Sequence, residues 1–189
     1  MTIRMATAAD AADVASIYRP YVTDAATSFE VEPPEAAEMA RRMETVLAFA
    51  PWLVYADGHG ELLGYAYASP HHERAAYQWS LNVAVYIRAG HHRRGIGRAL
   101  YETLFPLLRL QGFYAAHAGV TLPNASSVGL HETLGFRPVG VYRSVGWKMG
   151  AWHDVGWWQL VLQERPATPA PPLTLTEARS LAAWPDDLA

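Results

Sequence analysis

The residues best suited to bind an anion form one short run, Arg93-Arg94-Gly95-Ile96-Gly97-Arg98. Its two glycines leave backbone N–H groups uncovered by side chains, and a helix that begins here adds the positive end of its dipole. Together with the arginines, these donors predict a site for a pyrophosphate. A P-loop is excluded because no Gly-Lys-Ser/Thr ending is present, and a Rossmann fingerprint because Tyr101 stands where a third small residue is needed. The simpler alternative is a basic loop that opens an ordinary surface helix.

The elements on either side must position this loop. Before it, apolar residues alternate with more polar ones over residues 77–87, which predicts a strand. After it, apolar residues recur on one face of a helix predicted over residues 95–111, and Gly112 ends that helix. Pro106 lies inside the helix and should kink it. The loop is therefore expected at a turn from strand to helix.

The rest of the chain alternates between helical and strand patterns. A first helix should end near Pro20, others are predicted at 35–50 and 127–134, and strands at 2–5, 52–56, 62–69, 113–120, 136–145 and 156–162. This order predicts an α/β fold with a mixed, mostly antiparallel sheet flanked by helices. Residues 1–163 are expected to form the main domain. The Pro-rich tail, residues 164–189, is expected to carry a short helix from Thr176 to Trp184 that either packs on the body or frays, with packing favoured.

Composition excludes several classes of protein. The 189 residues include 15 lysines and arginines against 18 aspartates and glutamates, and this formal charge of −3 does not indicate a nucleic-acid partner. The absence of cysteine removes disulfides, thiol nucleophiles and cysteine-based zinc sites. No segment approaches the roughly 20 apolar residues of a membrane helix, and the N-terminus does not read as a signal peptide. A soluble cytoplasmic protein with no membrane partner is predicted.

Two later stretches carry a family resemblance. In the first, Asn124 and Ser127 precede the run Leu130-His131-Glu132-Thr133-Leu134-Gly135-Phe136. The second is Gly146-Trp147-Lys148-Met149-Gly150-Ala151-Trp152-His153-Asp154-Val155-Gly156-Trp157-Trp158. With the glycine loop, these stretches resemble the GNAT superfamily of N-acetyltransferases, and within it the phosphinothricin N-acetyltransferase branch. The resemblance extends over residues 1–163 and implies the GNAT acyl-CoA N-acyltransferase fold.

The resemblance also implies how acetyl-coenzyme A (acetyl-CoA), the co-substrate of this family, is bound. Backbone groups of Val85, Tyr86 and Ile87 would pair with the pantetheine arm and point an N–H at the thioester oxygen. Asn124 and Ser127 would bond to the same arm. The pyrophosphate would be held by the loop residues Arg93, Arg94, Gly95, Ile96, Gly97 and Arg98. The chain departs from the family at His92, which occupies the usual Gln or Arg position of this loop.

The general base is a larger departure. Relatives in the branch carry a glutamate where Asn82 stands. An amide does not accept a proton near neutral pH, although it can orient a water or the substrate amine. Three outcomes stay open: a water chain to bulk solvent, a base from elsewhere (Glu30, His71 or His72), or little activity. His131, where many relatives place a tyrosine, is a candidate to protonate the departing thiolate; the alternative is a helix histidine bonded to a core carbonyl.

The acceptor implied by the resemblance is a small amine, an amino acid analogue such as phosphinothricin, methionine sulfoximine or methionine sulfone. Arg74, Arg143 and Lys148 are candidate anchors for its charges. Phe29 either lines the acceptor pocket or plugs the core, and Tyr86 is a second substrate-binding candidate. The alternatives are another small amine, a protein amine, or a CoA-binding sensor with weak or no catalysis. No metal is expected, and the resemblance implies a homodimer.

Overall fold

In a computed structural model of the protein, which describes residues 1–188, seven strands form one sheet in the order β1-β2-β3-β4-β5-β7-β6. Neighbouring strands are antiparallel except for β4 and β5, which are parallel. The mixed, mostly antiparallel sheet is thus confirmed. The strands are β1 (Thr2–Met5), β2 (Trp52–Ala56), β3 (Leu62–Pro70), β4 (Ser80–Ile87), β5 (Ala115–Leu122), β6 (Arg137–Lys148) and β7 (Ala151–Val161).

Helices cover both faces of this sheet, because strands such as β2 send alternate side chains into two separate apolar clusters. Trp52 joins the cluster formed with the first two helices, whereas the next residue, Leu53, joins the cluster around the third helix. Both are almost completely buried. The helices are α1 (Ala11–Thr23), α2 (Ala36–Leu47), α3 (Ile96–Leu110), α4 (Ala125–Thr133) and α5 (Leu175–Arg179). In the part of the chain that the structure describes, no helix is long and apolar enough to cross a membrane.

Two prolines do not end their helices. Helix α1 continues past Pro20 to Thr23, so the end predicted near Pro20 is wrong, and α3 continues past Pro106 to Leu110. A proline inside a helix removes one hydrogen bond. In α1 the extra turn buries Val22, which is 1% exposed, and this burial offsets the loss.

The last two strands, predicted at 136–145 and 156–162, extend further and meet in a tight hairpin. Pairing between β6 and β7 continues through Gly146↔His153 to Lys148↔Ala151. Met149 and Gly150 form the turn, with φ of 52° and 77°. Two successive left-handed residues match the twist of a hairpin, so the strands extend to the turn itself. The strand predicted from residue 77 also begins later, at Ser80, after a 3-10 turn over Ala75–Tyr77.

The tail packs on the body. Leu175, Trp184 and Leu188 belong to the same apolar cluster as α3. Its helix, α5, is shorter than predicted and is capped by Thr174 instead of Thr176, since the Thr174 hydroxyl accepts from the Glu177 N–H at 3.2 Å. The tail therefore contributes to the hydrophobic core.

Candidate active site

A cleft opens where the two parallel strands separate. β4 and β5 pair at only three positions, from Ser80↔Ala115 to Asn82↔His117, and then diverge. Both strands continue beyond that point, to Ile87 and Leu122. The gap between them is closed on one side by the α3 and α4 side chains Tyr101, Ser127 and His131. A parallel pair forced apart in this way leaves backbone groups free to bind an extended ligand.

The backbone of β4 presents such groups to the cleft. The Arg88 N–H donates to the Leu63 carbonyl of β3 at 2.8 Å. Ile87 faces the opposite way, because its N–H donates to the Tyr21 hydroxyl at 3.1 Å and its carbonyl accepts from that hydroxyl at 2.7 Å. Since strand residues alternate in direction, Val85 also turns its N–H and carbonyl toward the cleft. Val85 is thus available to a ligand, whereas the backbone groups of Ile87, predicted to bind the same ligand, are already held by Tyr21.

The glycine loop has the geometry of an anion site. Gly95 precedes α3 with φ of 80°, and Arg93 has φ of 59°. The first helical bond runs from the Ala99 N–H to the Gly95 carbonyl at 2.9 Å, so the N–H groups of residues 96–98 have no helical acceptor. Gly97 lies close to α4, and a Cβ there would be 3.2 Å from Leu130 Cδ2, so the Leu130 side chain would have to shift by a few tenths of an ångström. The loop thus offers several N–H donors at the start of a helix.

Side chains of the loop are engaged to different degrees. Arg98 pairs with Glu102 at 2.7 Å, and Arg94 Nη1 lies 2.9 Å from His91 Nδ1. Arg93 is exposed and forms no side-chain bond with residues 1–188. His92 Nε2 lies 2.8 Å from the Tyr21 hydroxyl, which links the loop to β4. Tyr21 is a site residue that the sequence did not reveal, because it reaches β4 from the distant helix α1.

Asn82, which stands where the resemblance implies a glutamate base, contacts His71. Asn82 Oδ1 lies 2.9 Å from His71 Nδ1, and the His71 ring stacks on His117. The other two candidate bases are placed differently. Glu30 accepts from Tyr18 and from both Nη groups of Arg42; burial alone would raise its pKa, but these donors outweigh burial and lower it. His72 is exposed and stacks on Tyr77.

His131 is buried at the wall of the cleft. Its Nδ1 lies 2.7 Å from the Ser127 carbonyl, which can only accept, so Nδ1 holds a proton. Its Nε2 lies 3.3 Å from the Tyr101 hydroxyl. Burial lowers the pKa of His131, which favours the neutral ring. Asn124 caps α4 by accepting from the Ser127 N–H at 3.0 Å. The roles of these residues toward acetyl-CoA stay predictions, and Tyr101 joins them as a buried phenol that sequence reasoning did not select.

The candidate acceptor residues differ in their surroundings. Phe29 is 38% exposed and its ring lies against Gly146, so it is not a core plug. Lys148 is buried and donates to the Ser28 carbonyl at 2.6 Å; burial lowers its pKa. These contacts hold the loop after α1 on the β6–β7 hairpin. Tyr86, the other substrate-binding candidate, packs its ring against Tyr18 and Tyr21 of α1.

The two arginine anchors also differ. Arg143 is paired with Asp154 at 2.6 Å, so it could bind an acceptor only if this ion pair opens. Arg74 is exposed and has no ion pair among the residues described. In residues 1–188, no three His, Asp or Glu side chains are grouped as ligands for a metal ion.

Comparison with known proteins finds a family model, related sequences and related structures that match this chain. The family model "Acetyltransferase (GNAT) domain" covers residues 3–157. The phosphinothricin N-acetyltransferase of Streptomyces viridochromogenes is 41% identical over 175 residues, 93% of this chain and 94% of that protein. The L-methionine sulfoximine/L-methionine sulfone acetyltransferase of Pseudomonas aeruginosa is 31% identical, over 89% of this chain and 98% of that protein. The crystal structure of a GNAT phosphinothricin acetyltransferase from Sinorhizobium meliloti with acetyl-CoA superposes with a TM-score of 0.86, at 36% identity, covering 89% of this chain and 92% of that one.

Proposed function

We propose an acceptor for this chain, which belongs to the GNAT acetyltransferase family and is an acetyl-CoA-dependent N-acetyltransferase. The acceptor is an amino acid analogue with a free α-amino group and an anionic or strongly polar tetrahedral head. Phosphinothricin, methionine sulfoximine and methionine sulfone, the compounds in the names of the relatives, are its representatives. The observation that carries the proposal is 41% identity, over nearly the whole chain, with a phosphinothricin N-acetyltransferase.

The cleft would hold the donor as follows. The N–H groups at the start of α3 would bind the diphosphate, with the exposed Arg93 adding charge. The Val85 N–H would donate to the thioester oxygen, where negative charge develops as the amine attacks. An amine can attack only when it is uncharged, so a proton must leave the ammonium form of the acceptor first.

Of the two candidate arginines, Arg74 is better placed than Arg143 to bind the acceptor carboxylate. Its guanidinium is exposed and free of ion pairs among residues 1–188, and it lies in the segment that joins β3 to β4. A guanidinium can bind a carboxylate through two parallel hydrogen bonds. Phe29 is the candidate wall of the acceptor site, since it is partly exposed and its ring lies against Gly146.

The test is release of free CoA thiol from acetyl-CoA with a panel of amines. We expect turnover with phosphinothricin, methionine sulfoximine or methionine sulfone to exceed that with lysine, peptides and simple alkylamines. Arg74→Ala should raise KM for these acceptors at least tenfold, whereas Arg143→Ala, which breaks only an exposed ion pair, should change it less. Turnover restricted to peptide amines would contradict the proposed acceptor.

We also propose that two copies associate through the β6–β7 hairpin. β6 is an edge strand of 12 residues. Trp147 and Trp152 are 60% and 62% exposed, with ring centroids 5.4 Å apart. An exposed, apolar edge of this length is covered in most proteins, and a second copy of the chain would cover it symmetrically.

Sedimentation tests this assembly. Trp152→Glu should shift the protein from dimer to monomer, whereas Leu181→Glu, which places the same charge at a half-exposed position in the tail, should not. A monomeric wild type would contradict the assembly. A cytoplasmic location stays a prediction, tested by assaying fractions of broken cells for the activity.

A further inference from the structure

Two histidines and an amide meet at the point where the cleft begins. His71 Nδ1 lies 2.9 Å from Asn82 Oδ1, and Asn82 Nδ2 donates to the Pro70 carbonyl at 3.3 Å. The His71 ring lies flat on the His117 ring, with centroids 4.1 Å apart and planes inclined by 21°. His117 pairs in register with Asn82, the last paired position before β4 and β5 separate. Asn82, at the position where the family resemblance implies a glutamate, therefore belongs to a cluster of three side chains.

The hydrogen bonds of Asn82 fix the tautomer of His71. An amide NH₂ only donates and an amide oxygen only accepts. Because the Pro70 carbonyl takes the Nδ2 donor, Oδ1 faces His71 and must accept from it. The proton of neutral His71 therefore lies on Nδ1. Its Nε2 keeps a free lone pair and has no hydrogen-bond partner in residues 1–188.

The His117 ring, on which the His71 ring stacks, is held in its neutral form. Its Nε2 lies 2.9 Å from the amide nitrogen of Gln159, which donates, and its Nδ1 lies 3.3 Å from the Leu81 carbonyl, which accepts. Both ring nitrogens are thus satisfied in the neutral form. Burial and the neighbouring His71 lower the pKa of His117. Because two charged rings in contact would repel each other, a charge on His117 is disfavoured beside His71.

The free nitrogen lies on the face of the sheet that carries the Asn82 and His117 side chains. Asn82 and His117 are register partners, so their side chains share a face. Trp157, which lies over Gly119 at the cleft, meets the edge of the His71 ring at 6.1 Å between centroids. The surroundings of His71 are then an amide from β4, a histidine from β5, Trp157 from β7 and Tyr77 from the 3-10 turn.

No carboxylate forms an ion pair with His71 in the described part of the chain. The positive charge of Arg165 contributes to the lowered pKa of His117.

We propose that His71 is the general base of this enzyme, with Asn82 and His117 as positioning residues in place of the family's glutamate. This inference rests on the proposed N-acetylation. His71 Nε2 takes one proton from the acceptor ammonium, and the neutral nitrogen then attacks the thioester carbon. A C–N bond forms while the carbonyl π pair moves to oxygen; when that pair returns, the C–S bond breaks. The second nitrogen proton ends on the departing thiolate, and imidazolium His71 returns its proton to solvent.

The test compares pH profiles of kcat/KM by thiol release, with acetyl-CoA binding measured in parallel by calorimetry. His71→Ala should lower kcat/KM by about 10²-fold or more and remove the fall on the acid side that imidazole protonation causes. Added free imidazole should restore part of the rate. His59→Ala, which removes an exposed histidine from the turn between β2 and β3, is the matched control and should leave both quantities unchanged.

A second variant shows whether the cluster stands in for a carboxylate. Restoring the glutamate in His71→Ala/Asn82→Glu should recover activity and move the acid limb to lower pH, because a carboxyl group is more acidic than imidazole. The inference is overturned if His71→Ala binds acetyl-CoA normally and keeps its rate within about threefold with an unchanged profile.

Failure of the proposed function would look different. Wild-type turnover of other amines only would contradict the acceptor class, and the His71 comparison would then be made with those amines. Tight acetyl-CoA uptake without turnover of any amine would overturn both proposals.

Discussion

Replacing Gly95 by alanine tests whether the left-handed turn before α3 is required for donor binding. Gly95 has φ of 80°, and no atom lies within 4 Å of a Cβ built on it. The added methyl group therefore meets no steric contact, and the cost is that of a left-handed backbone alone, roughly 1–2 kcal/mol. If the strain is borne only in the bound state, the acetyl-CoA dissociation constant rises about 5- to 30-fold. If the free protein keeps the turn, the free energy of unfolding falls by the same amount.

Two measurements together detect the strain, whether it is borne only in the bound state or also in the free protein. Calorimetry gives the change in acetyl-CoA binding, and urea unfolding gives the change in stability; we expect their sum to be about 1–2 kcal/mol. Gly58→Ala is the matched control, because its Cβ also meets no atom within 4 Å and its φ is not positive. It should leave acetyl-CoA binding unchanged and should not lower the free energy of unfolding, because alanine at a compatible position restricts the unfolded chain more than glycine does. A sum near zero for Gly95→Ala would refute the reasoning.

Three further substitutions test the packing around the site, each by urea unfolding. Gly97→Ala places a methyl group 3.2 Å from Leu130 Cδ2, which the end of the Leu130 side chain can relieve by a small shift, and alanine is favoured over glycine in a helix by about 1 kcal/mol; the free energy of unfolding should therefore change by less than about 1 kcal/mol. Asp10 accepts two bonds from Arg4; burial would raise its pKa, but these bonds lower it, so it stabilises the fold above its ordinary pKa and less as pH falls through its native pKa. Asp10→Asn should therefore cost about 1 kcal/mol at pH 7, and its difference from wild type should begin to shrink below about pH 4, the ordinary pKa of the carboxyl, and vanish only below the lower native pKa. Trp184→Ala should cost about 3–5 kcal/mol if the tail is part of the core; a loss below 1 kcal/mol would show that it is not.

The glycine loop and its flanking elements could be predicted from sequence because their signals are local. The two-residue alternation before it, the two glycines and the apolar helical face after it lie within about 35 consecutive positions. The match of structure to prediction is therefore closest here: α3 spans Ile96–Leu110 within the predicted 95–111. Only the beginning of the strand was misplaced, since the 3-10 turn at Ala75–Tyr77 carries no distinct pattern.

Other features depend on contacts that sequence does not display. Tyr21 of α1 contacts Ile87, 66 positions away, because the helix packs on the sheet. Gln159 contacts His117, 42 positions away, because the two residues are partners in the register of β5 and β7. The last two strands were predicted at 136–145 and 156–162, but they extend to Lys148 and Ala151, because the turn includes Met149, a residue type that rarely adopts positive φ and so gives no turn signal in the sequence. The sequence likewise does not show that the Asn82 side chain bonds to His71, because His71 lies in a separate loop.

Residue-resolved hydrogen exchange with and without acetyl-CoA tests the central claim most directly. If the donor binds between β4 and β5, addition of acetyl-CoA should slow exchange at the Val85 N–H and at the N–H groups of Ile96 and Gly97. The Ile87 N–H should change little, because the Tyr21 hydroxyl already holds it at 3.1 Å. Protection confined to another part of the molecule, with exchange at Val85 unaltered, would contradict the account.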